Sequence, residues 1–282
     1  MAFHESREYP TELPITAVRF HNMNYLAHWH SEVEMVLVLE GRLGIGINTG
    51  FCELDAGDMV MLPGGDIHYF DSKANDSTIL IIVFRPELID NIVDFSSRSN
   101  MPNIVVSKSQ GMTAGLNESV LTEMKNCFES IFAELNGQKE EYKLIVKARL
   151  IELTGLFFRC RPRLANQPAA QSTGNSNAKL LQKAIRFIHE NYTSDISLED
   201  ISEHLNVSPF YFSRIFSKST GLTFKTYVNR YRIEKAMSMI HATTRPITEI
   251  AYECGFSSIR TFNRVFKLIC GKIPSKIGRA HV

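Results

Sequence analysis

Three histidines and one glutamate near the start of the chain have the residue types of a metal site. The spacing is His28-x-His30, then Glu34 four residues later, and His68 further along. Imidazole nitrogen and carboxylate oxygen together suit Fe, Mn, Ni or Zn, and strand alternation would place the first three side chains on one face. A site for one divalent ion is one of two interpretations of these residues. The alternative is that they line a pocket, or hydrogen-bond within it, without any metal.

A second pattern places arginine inside a repeat. The motif Phe-x-Arg-x-Phe occurs at 212–216 and again at 262–266, and a glycine follows each copy five residues later, at Gly221 and Gly271. Repetition at a period near 50 predicts two similar helical units in tandem. If the phenylalanines pack inward, Arg214 and Arg264 lie on the opposite faces of their helices.

The outward faces of these two helices carry side chains that suit base recognition. Arginine can bind guanine with two hydrogen bonds, asparagine can bind adenine, and an apolar side chain can meet a thymine methyl group. The predicted DNA-binding residues are Phe210, Ser213 and Arg214 in the first copy and Ile259, Arg260, Asn263 and Arg264 in the second. Two alternatives stay open. The faces could be merely solvated, or the arginines could brace the backbone or a phosphate.

Helix start and stop signals surround each copy of the motif. Ser197 followed by Asp200 is a capping pattern, Asn206 suits a left-handed turn residue, and Ser208-Pro209 has the order of a cap and first helical residue. The second copy follows a long predicted helix, a short one at 247–251 and a turn at 254–257. Each copy therefore predicts a helix-turn-helix, and the C-terminal part is predicted to be all-α.

The region around the histidines has the pattern of short strands. Apolar runs separated by Gly, Pro, Asn and Asp predict strands at 33–39, 43–47, 59–62 and 78–84. Short strands at this spacing are typical of a β-sandwich or jelly-roll. The fold class is thus predicted as α+β, with two domains.

Two amphipathic helices are predicted after the strands, within 116–135 and 144–158, joined at 136–137. In the second helix the predicted stripe consists of residues 145, 148, 151, 152 and 155. The two helices could cover the barrel or form a dimer seam, which would suit a protein that reads two half-sites. The predicted domains are 1–163, with dimerisation helices at about 112–160, and 178–282. The polar segment 164–177 is the predicted linker.

Charge divides the chain in the same way. Residues before 175 contain 15 Lys and Arg against 22 Asp and Glu, whereas the rest contains 16 against 8. A basic part of this kind predicts a polyanionic partner, double-stranded DNA. We find no apolar run of membrane-spanning length and no secretory start, so a cytoplasmic protein without a membrane partner is expected. The five scattered cysteines are expected to be reduced.

Two resemblances add to these inferences. The segment from Ile250-Ala251 through Gly255-Phe256-Ser257, then Phe262-x-Arg264-x-Phe266 and Gly271-x-x-Pro274, resembles the DNA-binding domain of the AraC/XylS family of transcriptional regulators. The pattern His28-x-His30, Glu34 and Gly41, and the later pattern Gly57, Pro63-x-Gly65 and His68, resemble the two motifs of the cupin family, with departures at Asn22 and Ser72. A cupin sensor ahead of this DNA-binding domain is a common layout in the AraC/XylS family.

The resemblance implies a transcriptional regulator, not an enzyme, which responds to a small molecule in the cupin pocket. A homodimer is expected, and an activator and a repressor both stay open, with activation as the expectation. A sugar or related carbohydrate is the expected effector, and RNA polymerase is an expected partner. The predicted effector-binding residues are His28, Trp29, His30, Glu34, Arg42 and His68. No cofactor is required, although metal-binding cupins hold an ion at the positions of the three histidines and the glutamate. Alternatives are a cupin that serves only as a dimerisation scaffold, and a metal-dependent cupin enzyme.

Overall fold

The computed structural model describes residues 9, 12–71, 76–89, 92, 103–108, 111, 117–160 and 171–276, with side chains from 177 onward in the last segment. The chain divides into two compact units, one ending at Gly174 and one continuing from Asn175. This division falls within the predicted linker, 164–177. Residues 161–170 lie outside the described part of the chain, and a helix already begins at Gln171. The second half of the predicted linker is therefore helical.

The N-terminal unit is built on antiparallel strands. These are β1 (Ile15–His21), β2 (Tyr25–His28), β3 (Val33–Ile47), β4 (Gly50–Asp55), β5 (Met59–Leu62), β6 (His68–Asp71), β7 (Ser77–Phe84) and β8 (Ile104–Val106). One sheet has the order β1-β7-β3-β5-β8, and the second joins β4 and β6 to the end of β3 and β2 to β6. The β-rich fold predicted for this part of the chain is confirmed.

Strand β3 corrects one prediction, because 33–39 and 43–47 belong to a single strand. Gly41 has φ +70°, and the register between β3 and β7 shifts between Val38 and Glu40. The irregularity bends the strand so that its first half pairs in one sheet and its second half in the other. Glycine at this position signals a bend here rather than a reversal of the chain.

Side chains of β3 alternate between two apolar cores. Val36 and Val38 pack between the two sheets, whereas Met35 and Leu37 pack with helices α1 (Glu118–Gly137) and α2 (Tyr142–Arg159) on the other face of the larger sheet. The two helices therefore cover the barrel, as one of the two alternatives proposed.

The predicted inward stripe of α2 is wrong. Residues 145, 148 and 155 are exposed, and 151 and 152 are half-buried. The buried side chains are Val146, Leu150, Leu153, Thr154, Leu156 and Phe157. Apolar residues occur on several sides of this helix, so their spacing alone does not identify the side that faces the sheet.

The C-terminal unit consists of helices. They are α3 (Gln171–Asn191), α4 (Leu198–His204), α5 (Pro209–Thr220), α6 (Phe224–Ala242), α7 (Ile247–Glu253) and α8 (Ile259–Cys270). Helices α4 and α5 form the first helix-turn-helix, and α7 and α8 form the second. The capping box of Ser197 and Asp200 is present, and Asn206 has φ +54° in the first turn. Among the described residues, none of the helices combines the length and the apolar character needed to cross a membrane.

Helix α6 joins the two helix-turn-helix units. At its N-terminal end, the rings of Phe224 and Tyr227 lie 6.0 and 5.3 Å from Phe216 of α5. Toward its C-terminal end, Ala236 and Ile240 share a buried cluster with side chains of α7 and α8. At 1.5 Å per residue the helix is about 28 Å long, so one rigid element supports both recognition helices.

Candidate nucleic-acid interface and sensor site

The four residues of the predicted metal site come together inside the barrel. His28 ends β2 opposite His68 at the start of β6, His30 lies in the turn before β3, and Glu34 lies on β3 in the other sheet. We call these four residues the histidine cluster. Each is at most 3% exposed. The residues converge because two sheets face each other, not because one strand presents them on one face as the spacing alone had indicated.

Hydrogen bonds fix the tautomer of each histidine in the cluster. The Nδ1 atoms of His28, His30 and His68 lie 2.9, 3.1 and 2.9 Å from the carbonyl oxygens of Leu26, Glu32 and Asp66. A carbonyl oxygen only accepts, so each Nδ1 carries a hydrogen, and Nε2 is the atom that offers a lone pair whenever the ring is neutral. Backbone carbonyls orient metal-binding histidines in the same way.

The carboxylate of Glu34 faces two of these Nε2 atoms. Its Oε2 lies 3.1 Å from Nε2 of His30 and 3.6 Å from Nε2 of His68. Two lone pairs cannot attract each other, so a short contact of this kind requires a proton or a cation between the groups. Burial alone would raise the pKa of Glu34, but the histidines His68 and His30 hold that pKa well below its usual range.

The cluster has the size and chemistry for an ion. Its four donor atoms lie within 4.8 Å of one another, and three imidazole nitrogens with one carboxylate oxygen suit a first-row transition metal. A sugar needs a pocket of several hundred Å³, more than the space between donors at this separation. Burial, and then the neighbouring His68 and His30, lower the pKa of His28 well below its usual value, which keeps that ring neutral and able to bind a metal.

The remaining two predicted effector residues lie apart from this arrangement or at its border. Trp29 is half-buried between His28 and His30 in the sequence. Arg42 lies opposite Asp55 and bonds to it at 2.7 Å on the outer face of the second sheet. Along β3 it is five residues from the partner of His68, about 16 Å at the rise of a strand. The structure does not bring Arg42 together with the cluster.

The two recognition helices, α5 and α8, are held by their phenylalanines as predicted. Phe212, Phe216, Phe262 and Phe266 are fully buried. Ser208 and Ser258 cap the two helices, and the left-handed residues Gly221 and Gly271 end them. Each helix therefore has a fixed inward side, and the side opposite it faces solvent.

The predicted base-reading residues divide into an exposed and a half-buried group. Phe210, Arg214, Arg260, Asn263 and Arg264 are exposed, with Phe210 at 79%. Ser213 and Ile259 are half-buried. Ser213 also lines a cavity of about 410 Å³ beside Thr223 and Lys225 of the α6 start, so it lies at the edge of the exposed face rather than at its centre.

Sequence reasoning missed one functional candidate, Arg232 in α6. Its side chain is buried and bonds to two backbone carbonyls after α3. An arginine among apolar and aromatic residues gives no periodic signal, so only its contacts in the fold identify it.

Comparison with known domains decides what these two units are. A model of the AraC-like ligand binding domain matches residues 14–154, half of the chain, and a helix-turn-helix domain model matches residues 201–280. This protein belongs to the AraC family of transcriptional regulators. The resemblance read from the sequence is confirmed, and so is the two-domain α+β fold. These are the domains of a DNA-binding transcriptional regulator with a ligand-binding domain, not of an enzyme.

Individual relatives span most of this AraC-family chain. The Msm operon regulatory protein of Streptococcus mutans is 26% identical over 90% of this chain and 83% of its own length. The melibiose operon regulatory protein of Escherichia coli is 23% identical over 89% and 82%. The solved structure of ToxT from Vibrio cholerae is 13% identical, with a TM-score of 0.46 over 90% of this chain and 93% of ToxT.

Proposed function

We propose that this AraC-family protein reads two successive major-groove segments of double-stranded DNA with α5 and α8, and that its ligand-binding domain controls this binding. One observation carries the DNA-reading proposal. Arg214 and Arg264 occupy equivalent, exposed positions between buried phenylalanines on the two recognition helices. Successive major grooves on one face of the duplex are about 34 Å apart, and α6 provides a support of comparable length.

The two helices are proposed to read their segments unequally. Helix α8 exposes Arg260, Asn263 and Arg264, three side chains that pair with purine edges. Helix α5 exposes Arg214 with the apolar Phe210, and Ser213 is half-buried beside them. The α8 segment of the operator should therefore be more strongly specified.

Selection of duplexes from a random library by the full-length protein tests this proposal. The wild-type protein should select a defined duplex, and Arg264→Ala should weaken binding to it by about 1–3 kcal/mol while binding to random DNA changes little. Arg245→Ala is the matched control, because it removes the same charge from the same unit but outside α5 and α8. Equal losses on selected and random DNA would show that Arg264 contacts phosphate only, and failure to select a duplex would contradict specific recognition.

Two ligands are proposed for the sensor domain, each supported by one observation. A relative named as the melibiose operon regulator supports a sugar or related carbohydrate. The histidine cluster supports a divalent ion held by His28, His30, Glu34 and His68, which would supply a fixed positive charge between the two sheets. A sugar would then contact the barrel next to the cluster, with Trp29 as the aromatic candidate.

Thermal-shift measurements against a panel of sugars, with and without added divalent ions, separate these ligands. A ligand that binds the folded domain stabilises it by RT ln(1 + [L]/Kd), so the melting temperature rises with the logarithm of the ligand concentration above Kd. No shift with any sugar or ion would favour the alternative that the ligand-binding domain is only a dimerisation scaffold.

We further propose a homodimer that activates transcription through RNA polymerase. Leu144 and Ile145 of α2 are 66% and 38% exposed on the side away from the barrel core, which supports a subunit contact there. Mass measurement in solution tests the homodimer, with Leu144→Asp expected to give monomers.

Because a regulator of this class works on the chromosome, we also propose a cytoplasmic location.

A further inference from the structure

The buried Arg232 lies in the middle of α6, between the two helix-turn-helix units. Its Nε and Nη2 atoms donate to the carbonyl oxygens of Tyr192 and Ser194, each at 2.7 Å. These carbonyls belong to residues 192–194, which we call the α3 exit. The guanidinium also lies 5.8 Å from the ring centre of Phe256, in the turn between α7 and α8.

Burying a guanidinium is costly unless hydrogen bonds replace its water. Arg232 is 9% exposed, and two charge-assisted bonds to carbonyls offset that cost only while the α3 exit stays in place. The energetic link therefore runs between α6 and the α3 exit rather than within α6 alone.

The α3 exit also packs closely against the turn between α7 and α8 in the second helix-turn-helix unit. A Cβ atom on Gly255 would lie 2.4 Å from the carbonyl oxygen of Tyr192 and 2.8 Å from Cα of Thr193. Only a glycine allows the backbone of the α7–α8 turn to approach this closely. The Tyr192 ring meets Tyr231 of α6 edge-on at 5.2 Å, so the exit touches both the joining helix and the second unit.

The same helix contacts the first unit. Phe187 of α3 lies 4.6 Å, ring to ring, from His204 of α4, and Asn177 accepts a hydrogen bond of 3.1 Å from the hydroxyl of Tyr211 in α5. Helix α3 thus reaches α4, α5, α6 and, through its exit, the turn between α7 and α8.

We infer that Arg232 and Gly255 fix the angle between the two helix-turn-helix units by locking the α3 exit against both α6 and the second turn. Arg232 is thus a positioning residue for two-groove recognition, and the inference rests on the DNA-reading function proposed above. A bend of 10° at the middle of a helix about 28 Å long moves its end by about 2.5 Å. Hydrogen bonds to base edges do not tolerate that displacement.

The spacing between operator segments reports this angle. The duplex selected by the wild-type protein is compared with duplexes in which one base pair is inserted or deleted between the two contacted segments. Wild-type protein should discriminate strongly against both. Arg232→Met and Gly255→Ala should reduce that discrimination by roughly tenfold, and their binding to a duplex with only the α8 segment should stay close to wild type. A loss of stability alone would lower binding to all duplexes together.

Gly271→Ala is the matched control. Gly271 has φ +70° against +83° for Gly255, but among the described residues nothing lies within 4 Å of its added Cβ. The Gly271→Ala variant therefore has the backbone strain without the steric contact. Discrimination unchanged from wild type in folded Arg232→Met and Gly255→Ala would overturn the inference. Where either variant fails to fold, Arg232→Lys decides in the same way, because lysine keeps the charge but lacks the fork that bonds two carbonyls. A wild-type protein that selects no duplex contradicts the proposed function instead.

Discussion

Buried histidines have two kinds of surroundings in this chain. In the histidine cluster, carbonyls hold each Nδ1 and the Glu34 carboxylate faces the Nε2 atoms of His30 and His68, so positive charge is favoured at the centre. His189 of α3 is instead stacked on Tyr231 at 4.0 Å, and burial, with the nearby Lys235 cation, lowers its pKa to about 3. The first arrangement can accept a cation, and the second requires a neutral ring.

His189 should make the C-terminal unit sensitive to acid. Its folded-state pKa is below the unfolded value of about 6.5, so the unfolded chain binds the extra proton and stability is lost as pH falls from about 6.5 toward 3. The free energy of unfolding of wild type, minus that of His189→Phe, should decrease by about 1.4 kcal/mol for each unit by which pH is lowered in this window. Denaturation followed by helical circular dichroism measures it, and a difference independent of pH would contradict the assignment.

Glu34→Gln should remove metal from the cluster, because it replaces the anionic ligand without changing side-chain size. Elemental analysis of protein purified without a His-tag should find about one divalent ion per wild-type chain and far less in the variant. Glu53→Gln changes an exposed carboxylate on the outer face of the sheet and should retain the ion. Wild-type protein with no bound ion after incubation with Zn²⁺, Ni²⁺, Mn²⁺ or Fe²⁺ would rule out the metal proposal.

The helices and strands that were predicted well are those for which more than one sequence feature indicated the same element. The recognition helices have phenylalanines at helical spacing, serine caps and terminal glycines, and each signal agrees with the others. Strand β3 and helix α2 had one signal each. Turn residues at Glu40-Gly41 cannot distinguish a bend from a reversal, and the apolar residues of α2 do not define one side. Pairing across sheets settled the first case, and packing on the larger sheet settled the second.

The bend in β3 should be unusually sensitive to substitution. In Gly41→Ala the new Cβ would lie 1.6 Å from the carbonyl oxygen of Asp76. A Cβ added to Gly57, which has φ +94°, would meet nothing within 4 Å in the part of the chain that the structure describes. Both substitutions carry the cost of a left-handed alanine, so we expect Gly41→Ala to destabilise by about 1–3 kcal/mol more. Urea denaturation followed by Trp29, the only tryptophan in the sequence, reports this in the N-terminal unit. Equal losses would show that β7 moves aside freely.

At the scale of the whole molecule, charge and chemistry are divided between the domains. The part before residue 175 has an excess of seven acidic residues and the part after it an excess of eight basic ones. The acidic domain contains the histidine cluster, and the basic domain contains both recognition helices. The sequence alone supported this division because composition and motifs agreed on it. It could not show the α3 exit, whose contacts join residues that are far apart in the chain.

Control by a ligand requires that the ligand bind one DNA-binding state of the protein more tightly than another. In this protein the quantity that could differ between the two states is the angle between the two helix-turn-helix units, which Arg232 and Gly255 hold. A ligand that favours one angle would alter binding to the operator without altering either recognition helix.

Hydroxyl-radical footprinting on the selected duplex tests most directly whether α5 and α8 read two separate segments of one operator. We expect two protected segments about one helical turn apart on one face of the DNA. Arg264→Ala should lose protection mainly in one segment, and Arg214→Ala mainly in the other. A single protected segment, or variants that lose protection equally in both segments, would contradict separate reading of two segments by α5 and α8.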